Sequence, residues 1–134
     1  MPFADGSRFV DDDPRDRPLS QWLVRAALVV PCVFHGAWNL GAEGAAWWVA
    51  SSGLPPGLRF VVGVAELAAA LALVSGVLSR LAAAGLVVIF AGAIPQHVAH
   101  GFSFKGGGWE PLFVDLVVAL AIAVGAFSRS TRPR

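Results

Sequence analysis

Residues Leu58 to Ser79 read LRFVVGVAELAAALALVSGVLS. A bilayer is crossed by about 20 mostly apolar residues in helical form, and this run supplies them. Glu66 stands well inside it. A carboxylate at that depth costs roughly 2.5–3.5 kcal/mol on insertion scales. The remainder of the chain is therefore expected to shield Glu66 from acyl chains and to bring it partners.

Three further apolar runs flank this one. The first span is predicted over Leu19 to about Leu40, bent at Pro31, whose ring removes a backbone donor. The next span after Glu66 runs from Leu81 to about Val98, with a kink at Pro95 just before His97 and His100. The last starts at Glu110, places Pro111 in the favoured first helical position and ends near Phe127. Between the first and second spans, GAEGAAWWVASSGLPPG carries Trp47 and Trp48 in a short amphipathic piece. It is predicted to lie at the headgroup level as an interfacial helix. The expected fold is an all-α membrane protein: a four-transmembrane-helix bundle over residues 19–128. A polar tail at 1–18 and a basic tail at 129–134 flank it.

Composition agrees. The chain is 56% hydrophobic and only 14% charged, against about 25% charge in an ordinary soluble domain. A net charge of +1 with no basic stripe gives nucleic acid nothing to bind. The single cysteine, Cys32, precludes an intrachain disulfide and is read as a small apolar filler. The acidic, proline-bearing start of the chain is not a signal peptide, so the first apolar run is expected to stay in the membrane.

With four crossings, Arg8, Arg15, Arg17, Arg80, Arg129, Arg132 and Arg134 share one side, with Arg25 close to it. The other side holds only Arg59 and Lys105. The positive-inside rule then puts both termini in the cytoplasm. Arg25, about 9 Å along its helix, lies within snorkelling reach of the near interface.

The other polar residues sort by depth. His35 falls about 24 Å along the first span, Glu66 about 12 Å below the outer start of its own, and Asp115 about 9 Å below that of the last. His97, His100 and Glu110 fall at outer helix ends. Arginines apart, all six lie in the outer half, and the inner half reads as almost pure Ala, Leu and Val. One polar site built from all four helices and open to the outer face is the expected arrangement.

Ordinary structural roles compete at each position. Glu66 can make a packing hydrogen bond, His35 can satisfy a backbone carbonyl, and His97 and His100 can form a polar helix end. Glu110 can cap its helix. Glu110 and Asp115 point about 140° apart, so only one need face the interior. Trp38, Trp47, Trp48 and Trp109 suit an outer aromatic belt, with Trp22 at the inner interface.

The order of Arg25, HGAWNLG, SSGLPPG, AELAAALALVSGVLSRLAA, a histidine ending the third span and a Glu opening the fourth resembles the DoxX family. The resemblance covers roughly residues 20–128. It implies a small four-helix membrane protein, similar to the membrane component of thiosulfate:quinone oxidoreductase. Carried over by position, the motif residues are Arg25, His35, Gly36, Glu66, Arg80, His97 or His100, and Glu110. The family often has Lys after HGxx; here that position is Asn39, so a charge partner for the acidic site is absent there.

The resemblance implies a membrane component of a quinone-linked oxidoreductase. Glu66, His35 and His97 would do the chemistry, with the histidines donating to quinone carbonyls and Glu66 relaying protons. His100, Glu110 and Asp115 would help hold the quinone. The alternative is a non-catalytic accessory subunit of a larger membrane complex, or a small-molecule carrier. A metal or b-type haem held by His35 with His97 or His100 is disfavoured. Expected partners are lipid and other membrane or periplasmic subunits, in a bacterial or archaeal inner (plasma) membrane.

Overall fold

The structure is a computed structural model that describes residues 17–102, 108 and 110–125. The predicted polar tail up to residue 16, residues 103–107, Trp109 and everything from residue 126 on lie outside the described residues.

Every regular element among the described residues is helical. α1 is Leu19–Leu40, α2 is Ala42–Trp47, α3 is Leu58–Ser75, α4 is Ser79–His97 and α5 is Glu110–Ala123. α1, α3 and α4 are long and apolar enough to cross a membrane. α5 is a further apolar helix with 14 residues described. The four long helices close a ring: α1 packs along α3, α3 along α4, α4 along α5, and α5 returns to α1. The core holds Leu28, Cys32, Leu73, Ala83, Leu86, Phe90 and Ala119.

The outside is as apolar as the inside. Phe34, Leu71 and Val88 are 71%, 70% and 72% exposed, among many large hydrophobics on the perimeter. A continuous apolar girdle of that extent is tolerable in lipid and not in water.

Helix ends depart from the sequence expectation by a few residues, each for a visible reason. α3 stops at Ser75, not Ser79, because Gly76 takes a left-handed backbone (φ 84°) and its N–H returns to the Ala72 carbonyl. Leu78 is also left-handed (φ 56°), which turns the chain so that α4 starts at Ser79. The tryptophan-bearing segment is more than one interfacial helix. After α2, the backbone widens into a π-turn over Trp48–Ser52 that ends at Gly53 with φ 65°. Ser52 Oγ donates to the Trp48 carbonyl and accepts from the Leu54 N–H, while Trp48 Nε1 donates to the Pro55 carbonyl. These bonds hold the segment together between α1 and α3.

α1 and α3 touch backbone to backbone. A Cβ built on Gly63 would stand 2.9 Å from the Gly36 carbonyl oxygen, and one on Gly36 would stand 2.9 Å from the Gly63 oxygen. Such close approach is available only to small residues.

Arginines finish the helices. The last carbonyls of a helix have no partner within it and carry the negative end of its dipole. Arg59, from α3, donates to the carbonyls of Asn39 and Gly41 at the end of α1. Arg25, from α1, donates to the Leu73 carbonyl near the end of α3 (2.8 Å) and to Ser79 Oγ (3.1 Å). Arg17 reaches the Val74 carbonyl of the same helix at 3.0 Å. Arg80 Nε donates to the Ala123 carbonyl of α5. Arg25 is thus buried at 8% exposure, with its guanidinium at the α3–α4 turn. That end of the bundle contains buried Arg17, Arg25 and Ser79.

Candidate functional site

The Gly36–Gly63 contact sets the site. Asn39 lies one turn beyond Gly36 on α1, and Glu66 one turn beyond Gly63 on α3, so each polar side chain follows its glycine on the same face. The close helices bring them together: Asn39 Nδ2 donates to Glu66 Oε2 at 3.1 Å. Both residues are buried, at 6% and 3% exposure. The position at which the resemblance implies a lost cationic partner is therefore filled by an amide that bonds the carboxyl directly. Asn39 Oδ1 is buried and accepts no hydrogen bond among the described residues.

Beside this pair is a cavity of about 400 Å³. His35, Asn39, Glu66 and His97 line it, drawn from α1, α3 and α4, and Gln96 joins them. Leu112 and Pro111 of α5 complete the wall, so all four long helices contribute. Trp38, Trp47 and Trp48 also line it, at the end of the bundle that holds α2. The Trp38 and Trp47 rings lie 5.6 Å apart, and Trp47 stacks on His97 at 5.4 Å with 24° between planes. The volume and the mostly aromatic and aliphatic wall suit a small organic ligand.

His97 Nδ1 lies 3.1 Å from the Ala93 carbonyl oxygen. A carbonyl can only accept, so Nδ1 carries the proton and donates. In the neutral ring Nε2 is then a lone-pair acceptor. His35 is half-buried and within electrostatic reach of His97.

The structure divides the remaining candidates. Asp115 is buried at 7% exposure, within electrostatic reach of Glu66, but is not on the cavity wall. Glu110 is half-buried at the first position of α5 and does not line the cavity. His100 is exposed: α4 ends at His97, and the 3₁₀ turn Val98–His100 carries it away from the site. Cys32 is a free, fully buried thiol in the core. The tryptophans are more than a belt, since Trp48 is only 7% exposed and walls the cavity. Among the described residues no group of three or more His, Cys, Asp or Glu side chains gathers in a way that would hold a metal ion.

Sequence reasoning missed Asn39 as Glu66's partner and Arg25 as a buried helix cap. The signal for Asn39 was present in the equal glycine-to-polar spacing on the two helices.

The DoxX family model matches residues 21–102 of the chain. No curated protein and no solved structure matches it.

Proposed function

The chain is a member of the DoxX family, and from that premise we propose that it is the membrane component of a quinone-linked oxidoreductase. The head group of the quinone would be held in the cavity at Glu66. One observation carries this reading. Side chains from three helices, His35 and Asn39, Glu66 and His97, meet in a single cavity whose remaining wall is mostly aromatic and aliphatic.

That cavity suits a quinone-type ring. Trp38, Trp47 and Trp48 offer flat apolar faces, and Val62, Val88 and Ile89 offer aliphatic surface for the start of a chain. His35, Gln96 and His97 supply polar contacts for ring oxygens. When bound, the group would supply two-electron redox chemistry. The protein's own residues orient it, exclude water and manage protons. His97 Nε2 is a proton acceptor when the ring is neutral, and the Glu66 carboxyl, steadied by Asn39, takes or gives a proton beside it. Electrons would be exchanged with a partner subunit, because the sequence carries no motif for a flavin, nicotinamide or c-type haem.

We further propose four crossings, with α5 in the fourth, and both termini on the cytoplasmic side of a plasma membrane. The excess of arginine on that side supports this. The cavity then lies under the outer surface.

Mass spectrometry of protein purified gently from its native membrane tests the functional reading. The expected finding is an isoprenoid quinone or quinol at close to one per chain. A stable companion polypeptide with no quinone would replace the reading with an accessory-subunit role.

A further inference from the structure

Part of the cavity wall is also the perimeter of the bundle. Leu58, Val88 and Gly92 line the cavity and are exposed, Val88 at 72%. The other exposed wall residues, Trp38 and Leu54, are each 37% exposed and stand near the α2 end. α3 and α4 are neighbours in the ring. α3 contributes Leu58, Val62 and Glu66 to the wall at four-residue spacing, one stripe along its face. α4 contributes Val88, Gly92 and Gln96 at the same spacing. A Cβ built on Gly92 meets no atom within 4 Å, so among the described residues nothing closes the seam there.

We propose that the cavity is entered sideways from the bilayer, through a slot between α3 and α4 that Gly92 keeps open, and that the ligand's hydrocarbon chain leaves through it. This rests on the quinone-type reading of the cavity and adds the route of entry and the residue that controls it. The lip of the slot is Leu58, Val62, Val88 and Gly92, which offer no polar side chain to a hydrated ligand. Glu66 and His97 stand on the cavity wall behind that lip. The ligand that matches this order is an amphiphile, with a polar ring inside and an apolar chain among the acyl chains. Gly92 is then a specificity determinant: a side chain there competes with the ligand's chain for the same space. Overfilling a packed space is worth about five- to a hundredfold in binding.

The test uses the full chain, purified and reconstituted in lipid nanodiscs. Tryptophan fluorescence reports binding of a decyl-substituted benzoquinone and of the same ring with a methyl in place of the chain. Partition into lipid is measured on empty nanodiscs and subtracted. Gly92→Phe is compared with Gly85→Phe, a control on the same face of α4 that is equally free of neighbours and does not line the cavity. The expected result is that Gly92→Phe lowers the decyl-to-methyl affinity ratio about tenfold or more, while Gly85→Phe leaves it at the wild-type value. Should the methyl probe bind too weakly to measure, the decyl affinities of the two variants decide. Should Gly92→Phe not fold, the wild-type protein is crosslinked with a decyl probe carrying a diazirine at the chain end. Labelling of Leu58, Val62 or Val88 supports the slot, and labelling confined to α2 overturns it. A ratio unchanged in Gly92→Phe, or lowered as much in Gly85→Phe, overturns the slot and leaves the quinone-type site standing. So does a wild-type protein that binds the methyl probe and not the decyl one. Failure of both probes to bind the wild-type protein overturns the quinone-type reading itself.

Discussion

Gly63→Ala is the substitution on which fold and site meet. The new methyl would lie 2.9 Å from the Gly36 carbonyl oxygen and 3.1 Å from Asn39 Cβ. Ordinary contact begins near 3.4 Å, so α1 and α3 must part by about 0.5 Å. A rigid separation of that size takes the Asn39–Glu66 bond from 3.1 Å to about 3.6 Å, which is no longer a hydrogen bond. Overpacking costs about 1–3 kcal/mol, and loss of a buried hydrogen bond about 1–3 kcal/mol more. Alanine's better helix propensity returns up to about 1 kcal/mol. The net expectation is a loss of about 1–6 kcal/mol, read as lower thermal stability of the purified protein in one detergent. Gly85→Ala is the matched control, because a Cβ there meets nothing within 4 Å. It is expected to unfold at or above the wild-type temperature. If Gly63→Ala and Gly85→Ala are equally stable, the glycine seam does not hold the site.

Other outcomes follow from named contacts. Arg25→Met removes the donor to the Leu73 carbonyl and Ser79 Oγ. A loss of about 1–3 kcal/mol is expected in the same unfolding assay, and an unchanged midpoint would refute the capping role. Glu66→Gln keeps an oxygen for Asn39 to bond, so its amount in membranes should match wild type while quinone-linked turnover is lost. Full turnover would remove Glu66 as a proton relay. For orientation, cysteines at exposed Glu43 and exposed Val77 are labelled in intact cells with a membrane-impermeant maleimide. Glu43→Cys is expected to react from outside and Val77→Cys only after permeabilisation, against a silent background from fully buried Cys32. The reverse pattern would invert the proposed topology.

Depth was legible in the chain and azimuth was not. Counting residues along each apolar run placed His35, Glu66 and His97 at compatible levels, and the structure brings those three to one cavity. The same counting placed His100, Glu110 and Asp115 at similar levels, but none of them lines it. Which face a side chain takes depends on where a helix ends and which neighbour it packs on. His100 leaves the wall because α4 ends at His97, and Asp115 turns into the bundle while Glu110 stays at its edge. Asn39 was read as the lack of a cation. Its role depends on the 2.9 Å approach of two helix backbones, which follows from Gly36 and Gly63 only once their partner helices are known. The arginine caps were hidden for a similar reason. Each of Arg25, Arg59 and Arg80 serves the end of a different helix from its own. A rule based on one helix at a time assigns such residues to the interface.

A crystal structure of the protein grown with a decyl-substituted benzoquinone tests the cavity most directly. The ring is expected between Trp47 and Trp48 on one side and Glu66 on the other. A Glu66 side chain turned out to the acyl chains, or a ligand seated elsewhere on the bundle, would contradict it.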